Sequence, residues 1–169
     1  NRFLINIQPD QVSGVAGYLE QHRGHSNAAV LYPMVRGRLV MNNDRRVDEG
    51  SFTQERAKHL IAREFNLSWS DTLPPDNTVT RGTWWEADVH EPAQWSVEEG
   101  MAKELGIVLG DQLTFRVADQ DVLARVTSLR QVEWDNFRVN FFVIAPPALL
   151  ESYPATFITS FYLDDADGL

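Results

Sequence analysis

The 169-residue chain is 43% hydrophobic and 23% charged, carries a formal net charge of −9 and has no cysteine. That composition suits a globular chain with one sizeable core or two small ones, and it excludes a disordered tail, disulfides, thiol catalysis and cysteine-based metal sites. The acidic balance argues against a nucleic-acid partner and against capture by anionic lipid headgroups, since both need a basic face.

Residues 3–7 (FLINI) read as a strand. The chain opens at Asn1 without an initiator methionine and enters this strand almost at once, so a piece of a longer protein is expected. No signal peptide, transit peptide or transmembrane run lies inside it. Asp10 is a candidate N-cap for a helix whose Val12, Val15, Ala16 and Leu19 fall at i, i+3, i+4 and i+7, weakened by Gly14 and Gly17. A turn at 24–27 leads to a strand over 28–40 (AAVLYPMVRGRLV), with breaks expected at Pro33 and Gly37.

From about residue 47 to 135 the character changes. Ser51 and Gln54 form a capping-box signal for a helix reaching about Phe65, with Ala57, Leu60, Ile61 and Phe65 on one stripe. Two strands, 66–70 and 78–86, are expected to pair across the turn Pro74-Pro75-Asp76-Asn77. Ser96 and Glu99 repeat the capping signal and open a short helix carrying Met101 and Leu105, stopped by Gly106. Gly110-Asp111 then turns the chain into a hairpin, with Leu113, Phe115 and Val117 alternating on one strand and Val122, Ala124 and Val126 on the next.

Residues 139–163 (VNFFVIAPPALLESYPATFITSFYL) read as an apolar strand over 140–145, a break at Pro146-Pro147, a short helical turn over 148–152 and a strand over 156–163, ahead of an acidic, unstructured end. Removing the middle region leaves the order β, α, β, β, α, β, so the expected fold class is α+β: a split βαβ (ferredoxin-like) mixed-sheet subdomain, residues 1–47 and 136–169, with a smaller α+β subdomain, 48–135, inserted. In that arrangement the first and last strands lie side by side and antiparallel, so both ends of the chain leave from one place. The entire acidic excess lies in the insert, and outside it acidic and basic residues are equal in number. A solvated acidic surface serving solubility is the plain explanation. The alternative is a neutral base with Arg36, Arg38, Arg45 and Arg46 facing a membrane, the acidic lobe held away from anionic lipid.

Four stretches, kept in order, resemble the extracytoplasmic domain of FtsX/MacB-type ABC transporter permeases, most closely that of the YbbP-like permeases. They are 1–10 (NRFLINIQPD), 31–40 (LYPMVRGRLV), 96–115 (SVEEGMAKELGIVLGDQLTF) and 132–163 (VEWDNFRVNFFVIAPPALLESYPATFITSFYL). The last is the most specific. The resemblance implies a periplasmic domain between the first two membrane helices of a bacterial inner-membrane permease, with a membrane-proximal Porter-like subdomain and an inserted distal Sabre-like one. It implies a separate cytoplasmic ATPase subunit that uses ATP and Mg, transmission of ATP-driven motion to the periplasmic side, and a lipophilic or envelope substrate. It further implies cooperation with a periplasmic esterase or lysophospholipase. The alternatives left open are a docking scaffold for such an enzyme or adaptor, and a free-standing enzyme.

The residues themselves offer no catalytic constellation and no cofactor site. His22, His25, His59 and His90 are scattered; His22 and His25, three apart, lack a third ligand. No serine has a Gly-x-Ser-x-Gly elbow, Ser160 included, and no Gly-Lys-Ser/Thr phosphate loop occurs. Glu98 and Glu99 are a pair of carboxylates best explained by the helix start that follows them. All five tryptophans, Trp69, Trp84, Trp85, Trp95 and Trp134, fall in the insert. Trp84 and Trp85, read as strand neighbours, should point to opposite faces, and together with Trp95 they are the expected partner or substrate contacts.

Overall fold

Along β2 (Tyr32–Asn42) buried Val35, Gly37 and Leu39 alternate with exposed Arg36 and Arg38, the period-two signature of a strand with one face on a core. The computed structural model describes residues 2–22, 30–134 and 139–161. The expected turn at 24–27 with His25, the start of the strand at 28–29, its counterpart's end at 162–163 and the acidic end lie outside them. Neither Pro33 nor Gly37 breaks β2. Pro33 sits near its start, and an added Cβ at Gly37 would come within 2.7 Å of Leu67 Cδ1 and 3.1 Å of Val117 Cγ2, so glycine is the residue that lets neighbouring side chains close over the strand.

Before β2 come β1 (Arg2–Ile7) and α1 (Val12–His22). After it come β3 (Arg45–Arg46), α2 (Glu55–Ala62), β4 (Phe65–Trp69), β5 (Asn77–Gly82), β6 (Gln94–Glu98), α3 (Glu99–Leu105), β7 (Gln112–Val117) and β8 (Gln120–Val132). The chain ends with β9 (Val143–Ala145), α4 (Pro147–Leu150) and β10 (Thr156–Phe161). Six strands form a closed ring: β2 pairs β7, β7 pairs β8, β8 pairs β6, β6 pairs β9, β9 pairs β4, and β4 returns to β2. The β6–β8 and β4–β9 ladders are parallel and the other four antiparallel. Closure satisfies backbone groups that an open sheet would leave bare. The main core fills this ring, with Val35, Leu67, Trp95, Val97, Leu113, Phe115 and Val143 all fully buried. Helices α2 and α3 add Ala57, Ile61, Met101 and Leu105 to it.

Outside the ring, the first half of β2 pairs β10, and β10 pairs β1, both antiparallel. Arg2 faces Phe161, so the two ends of the described chain are hydrogen-bonded neighbours, as expected. The α+β class holds, but the ferredoxin-like strand order does not appear. Strand β10 lies between β1 and β2, and β9 is drawn away to sit between β4 and β6 because the ring needs it there.

Other departures share one cause, which is that long-range pairing overrides local signals. Strands β4 and β5 do not pair with each other; β4 joins β2 and β9, and β5 joins β8. Ser51 closes a 3-10 turn with Asp48 instead of capping a long helix, α2 ends at Ala62, and Phe65 opens a strand. The cap of α3 is Glu98, not Ser96. Leu19 and Ile144 are buried and Phe142 and Phe157 half-buried, whereas Phe3 and Ile5, on β1, are 47% and 61% exposed. Among the described residues β1 pairs only with β10 and ends the sheet, and little packs on it to cover them.

Candidate functional site

The expected contact residues separate once the ring forms. Trp95, on β6, is fully buried; its ring meets Phe115 edge-on at 5.0 Å and its indole N–H donates to the Leu113 carbonyl at 3.2 Å. It is a core residue and presents no surface to a partner. The two-face expectation for Trp84 and Trp85 also fails, because β5 stops at Gly82 and the pair lies in a loop. Gly82 has φ +75°, and a Cβ there would fall 2.1 Å from the Thr127 carbonyl oxygen, so this backbone lies hard against β8 before leaving the sheet. Beyond it the two indoles fold to the same side and stack, with ring centroids 4.0 Å apart and planes 30° from parallel. Trp84 Nε1 donates to the Asp71 carbonyl at 2.9 Å and Trp85 Nε1 to the Ser70 carbonyl at 2.8 Å.

Trp85 is buried and anchors a second apolar cluster with Val139, Phe141 and Ile144, while Trp84 stays half-buried at its margin. The loop after the pair folds back to form an open groove lined by Gly82 to Glu91, Gln94 and Thr127. Val89 packs from this loop onto the cluster, and Glu86, Asp88 and Glu91 are exposed along it. None of these three carboxylates has an ion-pair partner among the described residues.

Beneath this region lies a polar centre that the sequence reading missed. Arg130 is fully buried on β8. Its Nε donates to Ser96 Oγ at 2.8 Å, its Nη1 to Asn77 Oδ1, and its Nη2 to the carbonyls of Ser96, Phe141 and Phe142 at 3.2, 3.0 and 3.0 Å. One guanidinium thus fastens β5, β6 and the approach to β9 onto β8. Burial lowers its pKa to about 10, with the charge of Glu98 working the other way, so it stays protonated near neutrality. The signal was present: even-numbered residues of β8 from Val122 to Val132 all point inward, and Arg130 is among them. The Glu98 carboxylate is committed elsewhere, accepting the Gly100 and Met101 N–H groups at the start of α3.

A second buried carboxylate, Asp111, locks the entry to β7. It accepts from the Val108 N–H at 3.0 Å and from the side chains of Asn42 and Asn43 at 3.2 and 3.1 Å. Burial raises its pKa, but the hydrogen bonds from Val108, Asn43 and Asn42, with the charge of Arg45, outweigh that and hold it below its ordinary value. These donors are all structural. His59 and His90 are exposed and far apart in sequence, and among the described residues no three His, Asp or Glu side chains gather into a metal-binding group.

No family model matches the chain. Over its full 169 residues it is 37% identical to the uncharacterized ABC transporter permease YbbP of Escherichia coli strain K12. The match takes in all of this chain and 20% of that protein, so the chain spans about a fifth of the length of the curated relative it matches. A crystal structure of a domain from a Porphyromonas gingivalis protein described as a permease aligns with a TM-score of 0.47 at 10% identity, over 95% of this chain and 75% of that one.

Proposed function

Because the whole chain is related to one segment of an ABC transporter permease, we propose that it is the extracytoplasmic domain of such a permease, carried between two membrane helices of a longer parent. The observation that carries this reading is the pairing of β1 with β10. A domain whose first and last strands are hydrogen-bonded neighbours can be set between consecutive segments of a parent without separating them. No helix among the described residues is long and apolar enough to cross a membrane, so on this reading the spanning segments lie elsewhere in the parent. On this reading the base of β1, β10 and the start of β2 is membrane-proximal and the ring distal, the ring taking β2 and β9 from residues 1–47 and 136–169 and its other four strands from 48–135.

In this role the domain performs no chemistry. A cytoplasmic ATPase subunit hydrolyses ATP, membrane helices move, and β1 and β10 carry the displacement through β2 into the ring, whose closed ladders move as a unit. The output is the handling or extraction of a lipophilic or envelope substrate on the periplasmic side. Insertion of a reporter at the exposed Ala118-Asp119 turn between β7 and β8 of the parent permease tests the location. Alkaline phosphatase, active only outside the cytoplasm, should be active there and a fluorescent protein that matures only in the cytoplasm dark. The reverse pattern would overturn the assignment.

A second reading is favoured by the groove beside Trp84. The domain also serves as a docking scaffold for a periplasmic partner, an esterase or lysophospholipase being the kind of enzyme that would act on such a substrate.

A further inference from the structure

We infer that the groove floored by Trp84, Trp85 and Val89 and rimmed by Glu86, Asp88 and Glu91 docks a partner protein through a segment that is both basic and apolar. This rests on the scaffold reading above and gives it a site and a partner chemistry. The floor is the first reason. Both indole N–H groups are spent on the carbonyls of Ser70 and Asp71, so the stacked pair has no spare donor for an anion, and the half-buried Trp84, backed by buried Trp85, offers its ring surface to whatever enters. An indole ring attracts aliphatic stems and cationic heads alike, and the attraction to a cation grows as water is excluded.

The rim is the second reason. Among the described residues, three exposed carboxylates line the groove and no arginine or lysine does, His90 being its one titratable base. The nearby guanidinium of Arg125 is held by the Gly110 carbonyl at 2.7 Å, and Arg81, just before Gly82, is exposed but does not line the groove. Part of the acidic surplus of the chain, Glu86, Asp88 and Glu91, is thus presented around an apolar floor, the arrangement of an interface whose centre is aromatic and whose rim sets partner choice by charge. Lysine or arginine side chains spaced along an extended segment would lay their stems on Trp84 and reach the carboxylates with their heads. An anionic bilayer is the wrong occupant for this rim, because its phosphates would be repelled.

The test uses the full 169-residue chain and short synthetic probes. A peptide of alternating lysine and leucine, one of alternating glutamate and leucine, and one of alternating lysine and serine are titrated while the tryptophan indole N–H signals are followed by NMR. The lysine–leucine peptide should shift the Trp84 and Trp85 signals saturably and leave that of Trp95 in place. The triple variant Glu86→Gln, Asp88→Asn, Glu91→Gln should bind it about tenfold more weakly, with an unchanged melting curve since all three residues are exposed. Trp84→Phe should retain part of the binding and Trp84→Ala lose most of it. Equal affinity in the triple variant, an equal response to the glutamate–leucine peptide, or shifts spread over other acidic segments would each overturn the proposal, as would binding to zwitterionic vesicles that Trp84→Ala abolishes. Binding that persists while the reporters place the domain in the cytoplasm would sink the permease reading alone; an extracytoplasmic domain that ignores the basic peptide would sink the docking site alone.

Discussion

The ring and the three-strand base are built from the same kinds of residue and handle their edges in opposite ways. In the ring every strand has two ring neighbours, the core is mostly apolar with Arg130 and its partners as a polar centre, and Gly37 and Trp95 are fitted to the space around them. The base ends in β1, which among the described residues has one neighbour and leaves Phe3, Leu4 and Ile5 exposed. A free apolar edge is a liability in a soluble protein unless something covers it. On the permease reading proposed above, the difference separates the ring, which covers its own edges, from the base, whose exposed face the rest of the parent would cover.

The sharpest blow to the ring should be Arg130→Ala. It strips the hydrogen bonds from Ser96, Asn77 and the Phe141 and Phe142 carbonyls in a buried site, and removing such a charged hub costs about 3–5 kcal/mol. Urea melts should show it, and the loss should be accompanied by faster amide exchange along β9. A loss under about 1 kcal/mol would mean that the guanidinium is not what fastens β9 to β8.

Trp95→Ala should cost a similar or slightly smaller amount, about 3–5 kcal/mol, because a fully buried indole leaves a cavity that the ring is poorly able to fill. Trp84→Ala should cost clearly less, since its ring is half-buried and the stack with Trp85 is worth roughly 0.5–1.5 kcal/mol beyond area. Equal losses in the two variants would turn Trp84 into a core residue and remove the floor of the docking groove.

Local pattern revealed most of the elements and little of what they pair with. The Gly106 stop after α3, the β7–β8 hairpin and the Pro146-Pro147 start of α4 depend on residues adjacent in sequence, and each formed as read. The pairing of β1 with β10 came from the order of elements. Ring closure depends on β7 reaching back to β2, a partner about seventy residues earlier, and nothing in the alternation of Leu113, Phe115 and Val117 says which strand they face. Trp84 and Trp85 were misread for the same reason: opposite faces require a strand, and Gly82 had already taken the chain out of one. Arg130 was legible in principle, because a period of two carried down β8 puts it inside.

A smaller effect distinguishes the ring by pH. Asp111 is held below its ordinary pKa in the folded state, so its contribution to stability is fully present above the unfolded carboxylate value, near 3.9, and is lost as pH falls through the lower folded value. Asp111→Asn should lower stability at neutral pH by removing an acceptor from Val108, Asn42 and Asn43, and should flatten the decline below about pH 4 relative to the parent chain. Melting curves from pH 7 to about 2.5 read both effects. A variant whose acid decline matches the parent's would place the pH sensitivity in some other carboxylate.

The smallest change in folding stability is expected at the base. Phe3→Thr and Ile5→Thr keep a β-favouring residue in β1 and remove apolar surface that is already about half exposed, so each should alter the stability of the isolated domain by no more than about 0.5 kcal/mol. Self-association should respond in the opposite sense. If the exposed edge is what makes the free domain sticky, the double variant should sediment as a monomer at concentrations where the parent chain associates. In the longer permease the same pair should matter, because there the face would be covered by the rest of the molecule, and lost packing should appear as impaired function of the parent with no loss in the isolated domain's melt. A large destabilisation of the isolated domain, about 2 kcal/mol or more, would show instead that Phe3 and Ile5 are packed in solution. The contrast between a closed ring and an open base would then be wrong at its base.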